Sequence, residues 1–402
     1  MSNNVEKYDQ YFTSNKTLQR KVYNFILKNP KRILEPCFGR GDLVKYVLKK
    51  SDVIFDLYEI DKNIDILPNI DNERINIKYC DFLKKKIDKK YKTIIGNPPF
   101  KWCLDFVDKC YELLMNGGEL IFIIPSNFFK LTSSSTLLNK MMQNGKITHI
   151  YHPNNEHLFS SASIDIMVFR YCKFHKNHEN MNNEQYEINY NDESMYCNNN
   201  NGLITFTKHP INTNKQFKEY FDIYVGMVSG CEQIFKITND YDKFGKSIEQ
   251  YTINILNKEN RIDKYILINE FPTKNKKLNN YMIDNKEKLI NRKIRNFNEN
   301  NWFEWGALRN IKNVKARLNE NCIYIETLTR CDKVAFIDKV QYFGGGLLIL
   351  IPKLDTNLKK NELQQITKFI NNELHESFIY SGRFKIGHRQ ISNSYFNISN
   401  SC

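Results

Sequence analysis

The fold is decided by the stretch Arg32-Ile33-Leu34-Glu35-Pro36-Cys37-Phe38-Gly39-Arg40-Gly41-Asp42. A short apolar strand ends at Glu35, and a turn containing Gly39 and Gly41 leads into a helix predicted over residues 43–48. Glycines in such a turn let the backbone bend sharply and approach a ligand closely. The longer glycine pattern that seats a pyrophosphate is missing, so the turn favours a cationic nucleoside over a phosphate-bearing cofactor.

Strand and helix patterns alternate around this turn. The strand over residues 119–124 is hydrophobic almost throughout, which is typical of parallel strands covered on both faces. Such alternation predicts an α/β fold with a doubly wound, mostly parallel sheet. The other strands are predicted over residues 52–60, 75–79, 93–96, 147–152 and 164–171, and helices over residues 22–27, 103–115 and 134–144, the first of them in a helical pattern that includes Leu18.

The regular alternation ends in the second half of the chain. Residues 174–202 are rich in Asn, Glu and His and are interpreted as a surface excursion or mobile loop. Beyond about residue 215 the patterns indicate a separate α+β domain. We therefore expect a catalytic domain over residues 1–215 and a second domain over residues 216–402. In the latter, strands are predicted over 251–256 and 340–352, and helices over 283–295 and 360–374.

Acidic residues follow the first three strands. Glu35 ends the first, Glu59 ends the second, and Asp81 with Phe82 follows the third. An acid after the second strand commonly binds ribose hydroxyls, and an Asp beside an aromatic ring can accept from an adenine amino group and cover its ring. Each acid alone is more often a helix cap or a solvated side chain. Together they lie at the sheet edge where such folds bind ligands, and so they predict a nucleoside site.

The most specific motif is Asn97-Pro98-Pro99-Phe100, directly after the fourth strand. Two prolines stiffen the turn, which can hold an amide oxygen and a backbone carbonyl at a fixed separation. These acceptors suit an amino group with two N–H donors, and Phe100 can stack on the base that carries it. Accepting both hydrogens makes a conjugated amino nitrogen more nucleophilic. The alternative is a rigid loop with a buried Phe.

The amino-acid composition indicates which classes of partner molecule to expect. The 402 residues include 59 Lys and Arg against 45 Asp and Glu, a formal charge of +14, which favours a polyanion such as nucleic acid. Part of this surplus reflects the bias of an AT-rich genome. There is no signal peptide pattern, no apolar stretch of membrane-spanning length and no zinc-ligand spacing among the ten cysteines. We expect a cytoplasmic protein, of a bacterium or of a host cell if the source is viral, with no metal site.

These motifs together resemble the gamma-class amino-methyltransferases of DNA, the adenine-N6 branch of restriction–modification systems and some viruses. The resemblance covers about residues 8–172 and is looser beyond them. It includes Tyr11-Phe12-Thr13-Ser14, although Ser14 stands where the family usually has Pro. It implies that S-adenosyl-L-methionine is the cofactor. The implied cofactor contacts are Thr13, Glu35, Cys37, Gly39, Gly41, Glu59, Ile60, Asp81 and Phe82.

The resemblance also implies how the substrate is held. Asn97, Pro98 and Phe100 would form the catalytic loop, and Phe159 would contact the extruded base; a core Phe is an equal alternative for Phe159. Residues 241–320 carry 17 Lys and Arg against 10 Asp and Glu, which suits a DNA-recognition domain. The expected DNA contacts are Arg292, Lys293, Arg295, Trp302 and Trp305, although a solvated basic face is the alternative for each cation.

The expected function is therefore methylation of adenine N6 in a base flipped out of double-stranded DNA. We expect a monomer, and a separate cognate restriction endonuclease is an optional partner. Methylation of RNA adenine or guanine, of a protein glutamine, or of cytosine N4 remains open. So does a non-catalytic DNA-binding specificity subunit, which the intact Asn97 loop argues against.

Overall fold

The computed structural model describes residues 11–67, 72–159, 163–174, 185–211, 213, 215–238 and 241–396. The chain divides into two compact units. The first contains Met1–Asn212 and Tyr380–Gly382, and the second contains Thr213–Ile379 and Arg383–Cys402. The chain thus passes between the units close to residue 215. None of the described helices is long and apolar enough to cross a membrane.

The first unit is built on one large sheet with helices around it. Its helices are α1 (Lys16–Asn24), α2 (Asp42–Leu48), α3 (Cys103–Leu113) and α4 (Ser135–Gln143). Its strands are β1 (Arg32–Glu35), β2 (Ile54–Glu59), β3 (Ile75–Tyr79), β4 (Tyr91–Gly96), β5 (Leu114–Pro125), β6 (Gly145–Tyr151), β7 (Ile166–Lys173), β8 (Gln185–Tyr190), β9 (Glu193–Asn200) and β10 (Leu203–Thr207).

The order of the strands confirms the doubly wound α/β prediction. The sheet runs β10-β9-β8-β6-β7-β5-β4-β1-β2-β3. Strands β3, β2, β1, β4 and β5 are parallel, and β7 pairs antiparallel with β5. The carboxyl ends of β1, β2 and β4 therefore meet at one edge, where open α/β sheets bind ligands.

Helices cover both faces of this sheet. Neighbouring residues of β4 show the alternation, because Ile94 packs in the cluster under α3 and α4 whereas Ile95 packs in the cluster under α1 and α2. Both side chains are fully buried. Burial on both faces explains why the central strands are apolar throughout rather than alternating.

The interpretation of residues 174–202 as an excursion or loop is wrong where the structure describes them; residues 175–184 lie outside the described part. Strands β8 and β9 continue the sheet from β6, and β10 forms its edge. The part of β9 that contains the Asn run is bonded to β10, because the Asn198 amide donates to the Thr207 hydroxyl at 3.0 Å. The same amide donates to the Tyr196 carbonyl at 3.2 Å. Cys197 is meanwhile fully buried. The side-chain amide of Asn198 thus adds to the apolar burial that holds these strands in the sheet.

The second unit is α+β, as expected. A four-stranded antiparallel sheet has the order β11-β18-β15-β17, and two smaller sheets have the orders β12-β14-β13 and β16-β20-β19. The strands are β11 (Phe221–Val225), β12 (Lys236–Ile237), β13 (Thr252–Lys258), β14 (Arg261–Ile266), β15 (Asn321–Glu326), β16 (Leu328–Thr329), β17 (Ala335–Lys339), β18 (Leu347–Pro352), β19 (Ile379–Tyr380) and β20 (Arg383–Lys385).

The helices of the second unit are short. They are α5 (Phe217–Tyr220), α6 (Glu232–Phe235), α7 (Lys276–Asp284), α8 (Lys286–Ile290), α9 (Ile311–Ala316), α10 (Lys360–Phe369) and α11 (His388–Ser392). A π-turn over Ile370–Leu374 continues α10. The single helix predicted over residues 283–295 is wrong, because α7 ends at Asp284 and α8 ends at Ile290, leaving Arg292 and Arg295 in a loop.

Candidate functional site

A pocket of about 370 Å³ lies at the carboxyl edge of the large sheet. It is lined by the loops that follow β1, β2, β3 and β4 and by the segment before α1. The residues that line it are Tyr11, Phe12, Pro36, Cys37, Gly39, Glu59, Ile60, Cys80, Asp81, Phe82, Leu83, Lys84, Asn97, Pro99, Trp102 and Phe106.

Glu59 ties the loop after β2 to the loop after β1. Its carboxylate accepts from the backbone N–H of Gly39 at 2.9 Å, and from those of Ile60 and Asp61 at 2.9 and 3.0 Å. Gly39 has φ +56°, and a Cβ there would lie 3.4 Å from the Phe12 ring. Burial raises the pKa of Glu59, and the three N–H donors oppose that rise. The two loops thus form one rigid wall of the pocket.

Glu35 is a buried acid directly before the pocket-lining Pro36 and Cys37. It is 2% exposed, and among the described residues its Oε2 has no hydrogen-bond partner. Its pKa is raised well above 4.5, mainly by burial and further by the nearby carboxylates of Asp42 and Glu59. Three acids close together, one without a partner, make this end of the pocket suited to a cation.

The loop after β3 is held from helix α3. The ammonium of Lys109 donates to the backbone carbonyls of Leu83 at 3.0 Å and Lys85 at 2.6 Å, and also to that of Phe82. The same ammonium lies 4.9 Å from the centre of the Phe82 ring. Asp81 accepts from the Leu83 N–H at 3.0 Å. Lys109 therefore fixes the segment that carries Asp81 and Phe82.

Asn97 is held by its amide nitrogen. That nitrogen donates to the Tyr11 carbonyl at 2.6 Å and to the Thr13 hydroxyl at 3.1 Å. The amide oxygen is buried and accepts no hydrogen bond from the described residues. A buried acceptor without a donor costs free energy, so its retention in a ligand pocket indicates a site for an N–H donor.

Three aromatic rings lie beside Asn97. Tyr11 stacks on Phe100 with centroids 4.9 Å apart and an interplanar angle of 17°. Phe159 lies 5.7 Å from Tyr11 and 5.9 Å from Phe100. Phe159 is 5% exposed and packs in the core cluster under α1 and α2, and its contact with an extruded base stays a prediction.

Most of the expected cofactor residues meet in the pocket. Those that line it are Cys37, Gly39, Glu59, Ile60, Asp81 and Phe82. Thr13 and Glu35 lie behind it, and Gly41, with φ +85°, begins helix α2 without lining the pocket. Pro98 is buried, and Pro99 lines the pocket instead.

Four residues that line or support the pocket were not predicted as site residues from the sequence. Phe12 contacts the Arg40 guanidinium at 4.5 Å, and Trp102 and Phe106 line the pocket from the start of α3. Trp102 and Phe106 could have been predicted, because their i, i+4 spacing after Phe100 places both on one face of a helix. Lys109 had none, because its partners are 24 to 27 positions away.

Three of the expected DNA contacts are buried in the second unit, which corrects that expectation. The Arg292 guanidinium donates to the backbone carbonyls of Leu289, Ser229, Trp302 and Glu304, and Trp305 donates its ring N–H to the Ile266 carbonyl at 2.7 Å. Trp302 and Trp305 are 3% and 4% exposed. These side chains stabilise the loop, whereas Lys293 is exposed. Arg295 is also exposed, but it donates to the Glu304 carboxylate at 2.6 Å and to the Trp305 carbonyl at 2.9 Å and so contributes to holding the loop.

Comparison with known proteins finds a family-model match for a segment that begins directly after Phe100 and contains α3, β5, α4 and β6. Residues 101–159 match the model of the Eco57I restriction-modification methylase family. The chain is similar to restriction–modification methyltransferases. The type II methyltransferase M.HincII of Haemophilus influenzae is 27% identical over 202 residues, covering 43% of this chain and 38% of that protein. The match therefore spans about two fifths of the length of that curated relative.

Parts of the chain are also similar to a ribosomal RNA methyltransferase and to subunits of type I restriction enzymes. The ribosomal RNA small subunit methyltransferase A of Mycoplasma mobile is 35% identical over 118 residues, covering 28% of this chain and 45% of that protein. Among solved structures, the type I restriction-modification methyltransferase subunit of Streptococcus thermophilus aligns with a TM-score of 0.36 at 16% identity, covering 42% of this chain and 46% of that one. The M protein of the type I restriction enzyme EcoKI aligns with a TM-score of 0.35 at 16% identity, covering 42% and 45%.

Proposed function

We propose that this chain transfers a methyl group from S-adenosyl-L-methionine to N6 of an adenine flipped out of duplex DNA. The observation that carries the proposal is the amide oxygen of Asn97, which is buried and has no hydrogen-bond donor among the described residues, in the pocket that also holds Gly39, Glu59 and Asp81. An acceptor for an amino group and the acids of a nucleoside site thus share one cavity.

The pocket fits the proposed cofactor at both ends. S-adenosyl-L-methionine, when bound, supplies a methyl group on a positively charged sulfur. Glu35 would attract the ammonium of its methionine part, because the neighbouring acids make a cation favourable there. Glu59 would accept from the ribose hydroxyls, and Asp81 with Phe82 would hold the adenine.

The chain's own contribution to the reaction is to prepare the attacking nitrogen. The Asn97 oxygen would accept one hydrogen of the adenine amino group, and the backbone carbonyl of Pro98 is proposed to accept the other. Both bonds would draw the nitrogen lone pair out of the ring, so that the nitrogen could accept the methyl group that the cofactor would supply. The nitrogen then loses one proton to solvent. Phe100 would hold the base plane by stacking.

Duplex DNA is the favoured substrate for two reasons. The matched family model is that of a restriction-modification methylase, and residues 241–320 of the second unit carry an excess of cations, including the exposed Lys293 and Arg295. We propose that the second unit binds the duplex and reads its sequence. RNA is the second candidate, which the 35% identity to a ribosomal RNA methyltransferase favours.

Labelled S-adenosyl-L-methionine tests the proposal. The purified chain is mixed with unmethylated genomic DNA, with total cellular RNA, or with neither, and the nucleosides are separated after digestion. We expect label in DNA as N6-methyladenine. Label in N4-methylcytosine would correct the base, and label confined to RNA would transfer the proposal to the second candidate.

Replacing Lys109 by Met is expected to weaken cofactor binding roughly tenfold. The change removes the bonds that fix the loop of Asp81 and Phe82, and one such supporting interaction is worth about 1.4 kcal/mol. Isothermal titration with S-adenosyl-L-methionine measures the effect. Lys90→Met is the matched control, because Lys90 also donates to a backbone carbonyl, that of Glu112, but lies outside the pocket. Equal affinity in the two variants would show that Lys109 does not position this loop.

Glu35 is expected to make cofactor binding depend on pH. Its pKa is raised in the free protein, so at acidic pH it is protonated and cannot attract an ammonium. Affinity should rise with pH as Glu35 ionises and fall again where the cofactor's α-ammonium, with an ordinary pKa of about 7.7–8.0, loses its proton. Glu35→Gln should weaken binding by roughly 10- to 100-fold and flatten this rise. Titrations at several pH values check this, with Glu112→Gln as the control on an exposed acid. An unchanged pH profile in Glu35→Gln would contradict the assignment.

A further inference from the structure

The side chain of Gln19, on helix α1, is bonded to the segment that holds Asn97. It is 2% exposed, and its amide nitrogen donates to the Thr13 carbonyl at 2.7 Å. Its amide oxygen accepts from the Lys16 ammonium at 3.3 Å. A glutamine is seldom fully buried, and burying its amide costs free energy unless the polar atoms are bonded. The bond to Thr13 is therefore part of what allows a polar side chain at this position.

Tyr11 and Thr13 decide how the Asn97 amide is turned. An asparagine amide has an oxygen acceptor at one end and two N–H donors at the other. The Tyr11 carbonyl can only accept, and it lies 2.6 Å from the Asn97 nitrogen. The Thr13 hydroxyl accepts from the same nitrogen at 3.1 Å. A half-turn of the amide would bring two oxygens together at the Tyr11 carbonyl, so these contacts hold the Asn97 oxygen at the opposite end.

Helix α1 ties Gln19 to the same core that supports the catalytic loop. Leu18 and Val22 of that helix are buried in the cluster under α1 and α2, which also contains Ile95 of β4. Strand β4 ends directly before Asn97. Because helix and strand share one packed cluster, the segment that joins them is the part that the Gln19 amide holds in place.

We infer that Gln19 is a positioning residue for methyl transfer. By bonding the Thr13 carbonyl, it keeps the Tyr11 carbonyl and the Thr13 hydroxyl against the Asn97 nitrogen, so that the Asn97 oxygen stays turned towards the substrate amino group. This inference rests on the proposed function, in which that oxygen accepts from the amino group. Gln19 does not line the pocket and acts only through Thr13 and Asn97.

Gln19→Met tests the inference, because methionine has nearly the same length but no N–H donor. The single-turnover rate of methyl transfer to unmethylated genomic DNA should fall about tenfold, less than the roughly 100-fold loss that displacing a catalytic group by an ångström can cause. Saturating S-adenosyl-L-methionine separates this rate from any change in cofactor affinity. Asn198→Leu is the matched control, because it removes another buried amide that donates to a backbone carbonyl, at 3.2 Å, outside the pocket.

The Asn97→Ala background supplies a readout that a merely structural role would not change. Residues that act through one contact have coupled effects on a rate, whereas independent residues have additive effects. Gln19→Met should therefore cause no further loss once Asn97 is alanine. If Gln19 only stabilised the fold elsewhere, it would lower the rate by the same factor in both backgrounds.

The outcomes separate this inference from the function on which it rests. A loss of rate in Gln19→Met that disappears in the Asn97→Ala background supports it. An unchanged rate, or the same loss in both backgrounds, would overturn it. Gln19→Asn is the second variant if the methionine variant folds poorly, since its amide is one methylene too short to keep the bond to Thr13. If the unaltered protein transfers no label to DNA, the proposed function fails, and the inference fails with it.

Discussion

Replacing Asn97 by alanine is expected to lower the rate of methyl transfer to DNA by roughly 100- to 1,000-fold, the usual loss when one preorganised hydrogen bond to a transition state is removed. The Asn97 oxygen is buried and accepts no hydrogen bond from the residues that the structure describes, so it is prepared to accept from the substrate amino group. Single-turnover transfer at saturating cofactor and DNA measures the rate, and a separate titration measures cofactor affinity.

A second variant of Asn97 tests which atom of its amide group matters, and a variant at another position is the control. Asn97→Asp keeps an oxygen acceptor but loses the N–H donors to the Tyr11 carbonyl and the Thr13 hydroxyl. Its rate should fall between those of the unaltered protein and Asn97→Ala. Asn76→Ala, on the exposed surface of β3, removes an amide outside the pocket and should have little effect. A rate for Asn97→Ala within tenfold of the unaltered protein would remove Asn97 from the chemistry.

The central sheet and its loops were predictable because their signals are local. Burial on both faces makes β4 and β5 continuous apolar runs, and Gly39 or Pro99 marks the turn that follows a strand. Parallel strands then place the ends of β1, β2 and β4 at one edge without further information. Glu59 and Asp81 meet in one pocket for that reason alone.

Interactions between distant positions were not predictable in the same way. Lys109 looks like any lysine on an amphipathic helix, and only the fold brings its ammonium to the carbonyls of the loop after β3. The run around Asn198 looks like a loop because Asn198 and Asn200 occupy buried strand positions where apolar residues are expected, and the Asn198 amide donates to the Thr207 hydroxyl of β10. Neither contact follows from spacing along the chain.

The second unit shows where composition misleads. A cation beside aromatic residues suggested DNA contact, yet Arg292 lies 3.8 Å from the centre of the Phe297 ring and binds backbone carbonyls. Arginine carries five N–H donors, so one buried guanidinium can hold several turns of a loop that lacks regular structure. Burial therefore separates Arg292 from its exposed neighbours Lys293 and Arg295, which the sequence alone could not do.

The largest expected effect on stability comes from Glu119, at the opposite end of the sheet from the loops that form the pocket. Its side chain is fully buried and pairs with Arg170, whose Nε donates at 2.9 Å. It also accepts from the Thr93 hydroxyl at 2.9 Å and from the backbone N–H groups of Leu27 and Lys28 at 3.2 and 3.1 Å. One carboxylate thus joins β4, β5, β7 and the chain after α1.

Glu119→Ala is expected to lower the free energy of unfolding by about 3–5 kcal/mol, because it leaves the Arg170 guanidinium buried without its partner. Urea denaturation of the full chain, followed by circular dichroism, measures the change. Glu112→Ala is the matched control, since it breaks an ion pair with Lys140 whose two side chains are about half exposed, and it should cost at most about 1 kcal/mol. The double variant Glu119→Leu/Arg170→Leu should recover part of the loss, because no unpaired charge remains buried. If the double variant is less stable than Glu119→Ala, the loss of unfolding free energy comes from the lost bonds to Thr93, Leu27 and Lys28. It then does not come from the Arg170 charge that is buried without its carboxylate partner.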